Sequence, residues 1–393
     1  MTMEKGKMRP LVHCIALSVA ILSQLFLLRV HAQPLIASQS TPLHTGAEVL
    51  MDPDSRFSIF NSQFLNVAVV ANQTSLVEGT HLVDTLLACG IKVVKIFCPE
   101  HGFRGTIEAG IKVDNGFDHR TGLPIISLYG NNKKPNRGQM RGVDCVVFDL
   151  QDVGCRFYTY LSTLHYVMEA CAENNVPLIV LDRPNPNGHY VDGPVLDTSR
   201  YASFVGMHPV PVVYGMTIGE YALMINGEGW LKPHSPLSDS ADSALRCTLT
   251  IVPMRGYRHD SIGYLLPVAP SPNLRTPHAI ALYPSLCLFE GTQCGVGRGT
   301  DWPFEWVTFE SDTLDLRDEE APAAFSLKYL IAMHKRVPKG KFFLRNNFFE
   351  KLAGNGELRG QIESGLNEEE IRATWQPSLD HFMTVRKKYL IYP

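Results

Sequence analysis

From about residue 57 the chain alternates short runs of β-branched apolar residues with stretches whose apolar positions recur at helical spacing. Leu65–Ala71, LNVAVVA, predicts a strand. Gly79–Cys89 then carries Leu82, Val83, Leu86 and Leu87 on one helical face, and Gly90 supplies a stop. Lys92–Pro99, Ile125–Tyr129, Val143–Leu150 and Pro177–Asp182 continue the strand series, with a helix over Phe157–Asn174 between the last two. Strands rich in Val and Ile on both faces, separated by helices, predict an α/β fold with a mostly parallel sheet covered on each side.

A second region begins after the proline-rich stretch Pro209–Tyr214. Thr217-Ile218-Gly219-Glu220 has the spacing of a capping box and opens a helix toward Ile225. LTIVPM predicts another strand, LPVAPSPNL an extended loop, and EGTQCGVGRGT a glycine-rich turn. Short helices alternate with loops in the tail, notably Phe325–Lys335 and Glu368–Trp375. The expected division is an N-terminal extension over 33–56, a catalytic α/β domain over 57–265 and a smaller α+β domain over 266–393.

The first 32 residues read as a secretory signal peptide. Lys5, Lys7 and Arg9 form a basic head, Leu11–Leu28 are mostly apolar, and Val30-His31-Ala32 fits a small-residue cleavage site. The competing reading is a retained anchor, against which Ser18, Ser23 and Gln24 weaken the run. No later apolar run approaches spanning length, so the expected mature protein is exported, periplasmic or secreted, without a membrane span.

Composition narrows the partners. The chain has 393 residues, 45% hydrophobic and 19% charged, ordinary for a globular protein. Without residues 1–32 it carries 32 basic against 38 acidic side chains, a formal charge of −6. A mildly acidic chain with no Lys/Arg stripe argues against nucleic acid. Eight cysteines follow the leader, several inside apolar elements where a free buried thiol is expected, and no CxxC occurs.

Open parallel sheets bind ligands at the carboxyl ends of their strands. The loops there are ANQTS, CPEHGFRG, LYGNN, DLQDVGCRFYTY and LDRPNPNGH, each polar where its strand stops. Glu100-His101 sits on the second: a partly desolvated carboxylic acid there can stay protonated and act as a general acid, and the bland alternative is a turn whose Glu caps the next element. Asp149 and Asp152 offer a second carboxylate; a helix cap or a loop tie explains them equally well. Arg156 offers a planar fork for a carboxylate and Tyr158 and Tyr160 flat faces for sugar rings, against a reading as packing with a structural ion pair. Asn185 on the LDRPNPNGH loop joins the substrate-contact candidates, and Glu290 and Arg298 are candidate rim contacts from the second domain.

Several chemistries are excluded by spacing. Gly295–Thr300 reads GxGxG and meets Pro303, so neither a dinucleotide fingerprint nor a nucleotide loop is present. Fourteen histidines occur without HxH or HExxH spacing, so no metal and no cofactor is expected. No GxSxG elbow occurs.

PEHGFRG, TGLPIISLYG, VDCVVFDLQDVGCRFYTYLST, LDRPNPNG, GMTIGEYA, SPNLRTPHAIALYPSLCLFEGT and GRGT occur in one order over residues 57 to 393. In these blocks the chain resembles the exo-β-N-acetylmuramidases, formerly a domain of unknown function. The resemblance implies a Rossmann-like N-terminal domain, a smaller C-terminal domain, and a cleft between them. It implies release of terminal N-acetylmuramic acid from the non-reducing end of peptidoglycan fragments, in turnover or salvage, with Glu100 as the catalytic residue. One departure is that Gln293-Cys294-Gly295 follow Glu-Gly-Thr where the family commonly has Asn-x-Ser. N-acetylmuramic acid bears a lactyl carboxylate, for which Arg104, Arg156 and Arg298 are the available cations. His101 would orient Glu100, and Asp149 or Asp152 would act on the other face of the sugar; direct attack by a carboxylate or its activated water, and attack by the substrate's own 2-acetamido oxygen supported by an Asp, both stay open. The rival classes are an exported muropeptide-binding protein without catalysis and a metal-dependent amidase acting on the peptide stem.

Overall fold

Strand β1, Val67–Ala71, is buried at every position, and its side chains divide between two apolar clusters. Ala68 and Val70 face one and Val67, Val69 and Ala71 the other, as a period of two requires of a strand covered on both sides. The computed structural model describes residues 42–57, 66–104, 115–232, 245–261, 264–320 and 323–393. All of these except Pro42 belong to one compact unit, Leu43–Pro393, and the expected leader lies outside the described residues.

The strands are β1; β2, Leu76–Val77; β3, Thr80–His81; β4, Val93–Cys98; β5, Gly116–Phe117; β6, Pro124–Ser127; β7, Cys145–Asp149; β8, Leu178–Leu181; and β9, Leu249–Val252. Seven of them form one sheet in the order β5-β6-β4-β1-β7-β8-β9. Every pairing is parallel except that of the edge strand β5 with β6. Setting β5 aside, the parallel strands run 3-2-1-4-5-6 in order of appearance, the doubly wound Rossmann arrangement. Strand order reverses between β1 and β7, and a crevice opens at their carboxyl ends.

Helices α1, Gly46–Met51, and α2, Leu82–Ala88, cover one face through Ala47, Leu50, Leu82 and Leu86. Gly46 lies so close to the sheet that a Cβ there would stand 2.4 Å from the Asp182 nitrogen, which only glycine permits. After α3, Arg137–Met140, the opposite face is covered by α4, Tyr160–Asn174, and α5, Ile218–Gly227. The α5 capping box is present: Thr217 accepts from Glu220 N–H, and the Glu220 carboxylate accepts from Thr217 N–H at 2.9 Å. Helix α4 begins at Tyr160, later than the expected Phe157, because residues 155–158 form a turn closed by Tyr158 N–H on the Cys155 carbonyl.

The remainder comprises α6, Pro277–Leu286; a 3₁₀ turn, Cys287–Gly291; the hairpin β10, Trp306–Phe309, with β11, Asp312–Asp315; and α7, Lys328–Arg336, α8, Phe348–Ala353, α9, Glu357–Glu363 and α10, Glu368–Arg386. Helix α10 does not stop at Trp375 as its sequence suggests. It continues through Pro377, because Ile371, Trp375, Leu379 and Phe382 keep one buried stripe at helical spacing. After α10 the tail returns to the sheet: the Glu220 carboxylate accepts Ile391 N–H at 2.8 Å, and Tyr392 O–H donates to Asp182 at 2.6 Å.

All eight described cysteines are free thiols, seven of them buried. Burial pushes the Cys98 thiol up to about 12, which leaves it inert. No helix among the described residues is long and apolar enough to cross a membrane.

Candidate active site

Strand β4 ends in a sharp reversal. Gly102 N–H bonds the Pro99 carbonyl at 3.2 Å, and both His101 (φ +74°) and Gly102 (φ +76°) adopt left-handed backbone. For a residue with a Cβ that conformation costs on the order of 1–3 kcal/mol, so the surrounding packing must hold it. The reversal leaves the Glu100 side chain half-buried and His101 buried at the mouth of the sheet.

Three neighbouring strand ends meet there. Thr159, just ahead of α4 in the connection from β7, donates its hydroxyl to Glu100 Oε2 at 3.0 Å. Asn72, directly after β1, donates from Nδ2 to the Tyr160 hydroxyl at 2.7 Å. The Tyr158 and Tyr160 rings meet edge to face at 4.8 Å, and the Tyr158 hydroxyl bonds the Pro270 carbonyl at 2.8 Å. Burial raises the Tyr158 phenol well above its ordinary value, so it is a neutral donor.

These groups form one wall of a cleft of about 390 Å³. The other wall comes from the C-terminal part of the chain: Asn273, Tyr283 on α6, Glu290 on the 3₁₀ turn, Arg298 and Phe304. Tyr129 and Phe204 line it as well. Arg298 donates from Nε to Glu290 Oε1, and its guanidinium lies 5.0 Å from the centre of the Phe304 ring. The two Nη groups of Arg298 make no hydrogen bond to the described residues, and they present a planar donor edge on a side chain that is 38% exposed.

The structure thus brings Glu100, His101, Tyr158, Tyr160, Glu290 and Arg298 together, and it places the other candidates elsewhere. Asp149 is fully buried in a bidentate pair with Arg183, Nε to Oδ1 at 2.5 Å and Nη2 to Oδ2 at 2.8 Å. Asp152 accepts from the Tyr214 hydroxyl and from Gly154 N–H at 2.7 Å; burial pushes its carboxyl up to about 6. Arg156, expected to meet a substrate carboxylate, is buried and spends Nη1 on the Pro194 and Val210 carbonyls and Nη2 on those of Leu352 and Ala353. It is a strut that ties the β7 connection to the last carbonyls of α8, where a helix C-terminus favours a cation. Arg104 is committed to Asp118 at 2.9 Å, with Asp84 at 3.7 Å. Asn185 bonds the Met216 carbonyl and Asn187 N–H, bracing its own loop. None of these five lines the cleft.

Thr159, Tyr129, Phe204, Asn273 and Tyr283 line it without having been singled out by sequence. Tyr129 was reachable by the rule that found Glu100, since it ends an expected strand. Phe204 and Asn273 carry no local signal. Among the described residues no group of three or more His, Cys, Asp or Glu side chains is arranged to hold a metal ion.

The sequence profile of the N-terminal domain of exo-beta-N-acetylmuramidase NamZ matches residues 67–278, and that of the C-terminal domain matches 281–321 and 309–392. The peptidoglycan beta-N-acetylmuramidase NamZ of Bacillus subtilis strain 168 is 38% identical over 347 residues, 77% of this chain and 80% of that protein. Two crystal structures of DUF1343 family proteins from Bacteroides fragilis NCTC 9343 superpose. One has a TM-score of 0.78 at 38% identity, covering 90% of this chain and 99% of its own. The other has 0.74 at 26% identity, covering 89% and 99%. A doubly wound sheet whose rim carries Glu100, closed by a C-terminal wall and matched over both domains, places this chain in the exo-beta-N-acetylmuramidase NamZ family of glycoside hydrolases.

Proposed function

We propose that the protein hydrolyses the bond that links a terminal N-acetylmuramic acid, at the non-reducing end of peptidoglycan fragments, to the next sugar. Glu100 gives its proton to the departing oxygen, and Thr159, donating to Oε2, helps to hold that carboxyl in place. The Nη edge of Arg298 receives the lactyl carboxylate in a forked pair, and Tyr129, Phe204 and Tyr283 offer faces to the sugar. The observation that carries this reading is the shared cleft: an acid on the sheet rim and an arginine on the facing wall, in a space of about 390 Å³.

The fragments are muropeptides or disaccharides met in wall turnover or salvage, outside the cytoplasm in the periplasm or after secretion. The basic head and apolar run of residues 1–32 support that location. The test offers the purified protein a chromogenic β-N-acetylmuramide and the matching β-N-acetylglucosaminide, which lacks only the lactyl group. The muramide should be cleaved at least about 100-fold more efficiently, the scale of losing one buried charged pairing. Equal cleavage of both would remove Arg298 from recognition, and cleavage of neither would end the reading.

A further inference from the structure

We propose that Glu290 receives the N–H of the substrate's 2-acetamido group, so that the acetamido oxygen, and no protein carboxylate, attacks the anomeric carbon. This rests on the muramidase reading above and adds the second acidic group that glycoside cleavage requires. Among the described residues, the cleft is lined by two carboxylates, Glu100 from the sheet rim and Glu290 from the opposite wall. Asp149 and Asp152 are buried and bonded within the protein.

The role of Glu290 follows from its contact with Arg298. Nε of Arg298 holds Glu290 Oε1, while the Nη groups of the same guanidinium make no hydrogen bond to the described residues and the side chain lines the cleft. With the lactyl carboxylate on the Nη edge, the sugar's C3 substituent lies beside the guanidinium. The group against Nε then faces a substituent on an adjoining ring carbon, and the assignment is to C2, whose acetamide N–H a carboxylate accepts. Among the described residues Glu290 Oε2 accepts only from the Cys287 thiol at 3.7 Å, a weak donor that an amide N–H displaces readily. The Arg–Glu couple therefore reads two adjacent substituents with one rigid unit.

The C1–oxygen bond breaks with its electron pair going to the departing oxygen, which takes the Glu100 proton. The acetamido oxygen donates a pair to C1 and closes an oxazolinium ring, whose positive N–H lies against the Glu290 carboxylate. Water then adds to C1, gives a proton to Glu100, and the ring-opening pair returns to the amide. Both carboxyl groups end as they began, and C1 keeps its β configuration.

The experiment uses chromogenic β-N-acetylmuramides whose acetyl group carries zero, one, two or three fluorines, with the first product anomer read by proton NMR. Wild-type kcat/KM should fall by about 100-fold or more across the series, and the β anomer should appear first. Glu290→Gln should lower kcat by about 100-fold with KM little changed, and should steepen the fluorine dependence. A merely structural Glu290 would leave that slope as in the wild type, and this outcome overturns the proposal. A flat wild-type series or an α anomer formed first also overturns it, and neither needs a variant to fold. Wild-type protein that leaves every muramide intact defeats the parent reading, a result distinct from cleavage without fluorine dependence.

Discussion

Two loops leave the sheet on either side of β1 with nearly the same vocabulary. The one after β4 carries Glu100, His101 and Arg104; the one after β7 carries Asp149, Asp152 and Arg156. Only the first puts a carboxylate in the cleft. The second turns inward, because each of its charged groups meets a partner brought from far along the chain: Arg183 for Asp149, Tyr214 for Asp152, and the α8 carbonyls for Arg156. Glu100 accepts the Thr159 hydroxyl, lines the cleft and remains half-exposed. Charge at a strand end signals chemistry only when its partners leave one face open to a ligand.

The sharpest way to break this contrast is to neutralise one acid from each loop. Glu100→Gln keeps an acceptor for Thr159 and should lower turnover by about 10²–10⁴-fold. Its urea midpoint should shift by no more than about 0.5 kcal/mol allows. Turnover within tenfold of wild type would remove Glu100 from the chemistry. Asp149→Asn should do the reverse, costing about 3–5 kcal/mol in urea unfolding because Arg183 keeps a buried, unmatched charge. An unchanged unfolding midpoint with lost activity would return Asp149 to the site.

A smaller effect concerns Asp152 and carries a definite sign. Its ordinary value is 3.8 and burial raises it to about 6 in the fold, so the folded protein binds this proton more tightly than the unfolded chain. The associated stability is fully present below 3.8, declines as pH rises, and is gone above about 6. Unfolding of wild type and Asp152→Asn, compared between pH 4 and pH 7.5, should therefore show the wild type losing about 1–3 kcal/mol relative to the variant. A difference that is flat with pH would mean that Asp152 is not held in so dry a place.

The parallel strands were legible because Val- and Ile-rich runs such as Leu65–Ala71 are buried on both faces and leave no alternative pattern. Helix α6 was not, since Pro277 and Pro284 read as breakers; Pro277 in fact occupies the first turn, where no N–H bond is lost. The edge strand β5 has two exposed residues and no pattern to find. In the site, Glu100, Glu290 and Arg298 could be named from loop position and residue type. The roles of Asp149, Asp152 and Arg156 could not, because contacts spanning 34, 62 and 196 residues decide them, and local sequence carries no record of those distances.

The return of the tail to the sheet has a consequence for the order of assembly. Asp182, at the end of β8, is satisfied in part by Tyr392, a closure over 210 residues, and Glu220 accepts two backbone N–H groups from Ile391 and Tyr392. Contacts of such separation form late, since the intervening chain must lose its freedom before they repay it. The carboxyl end of β8 lies on the same rim as Glu100, so that rim is unfinished until residues 391 and 392 have returned to it, and competence arrives as a closing event instead of growing with length.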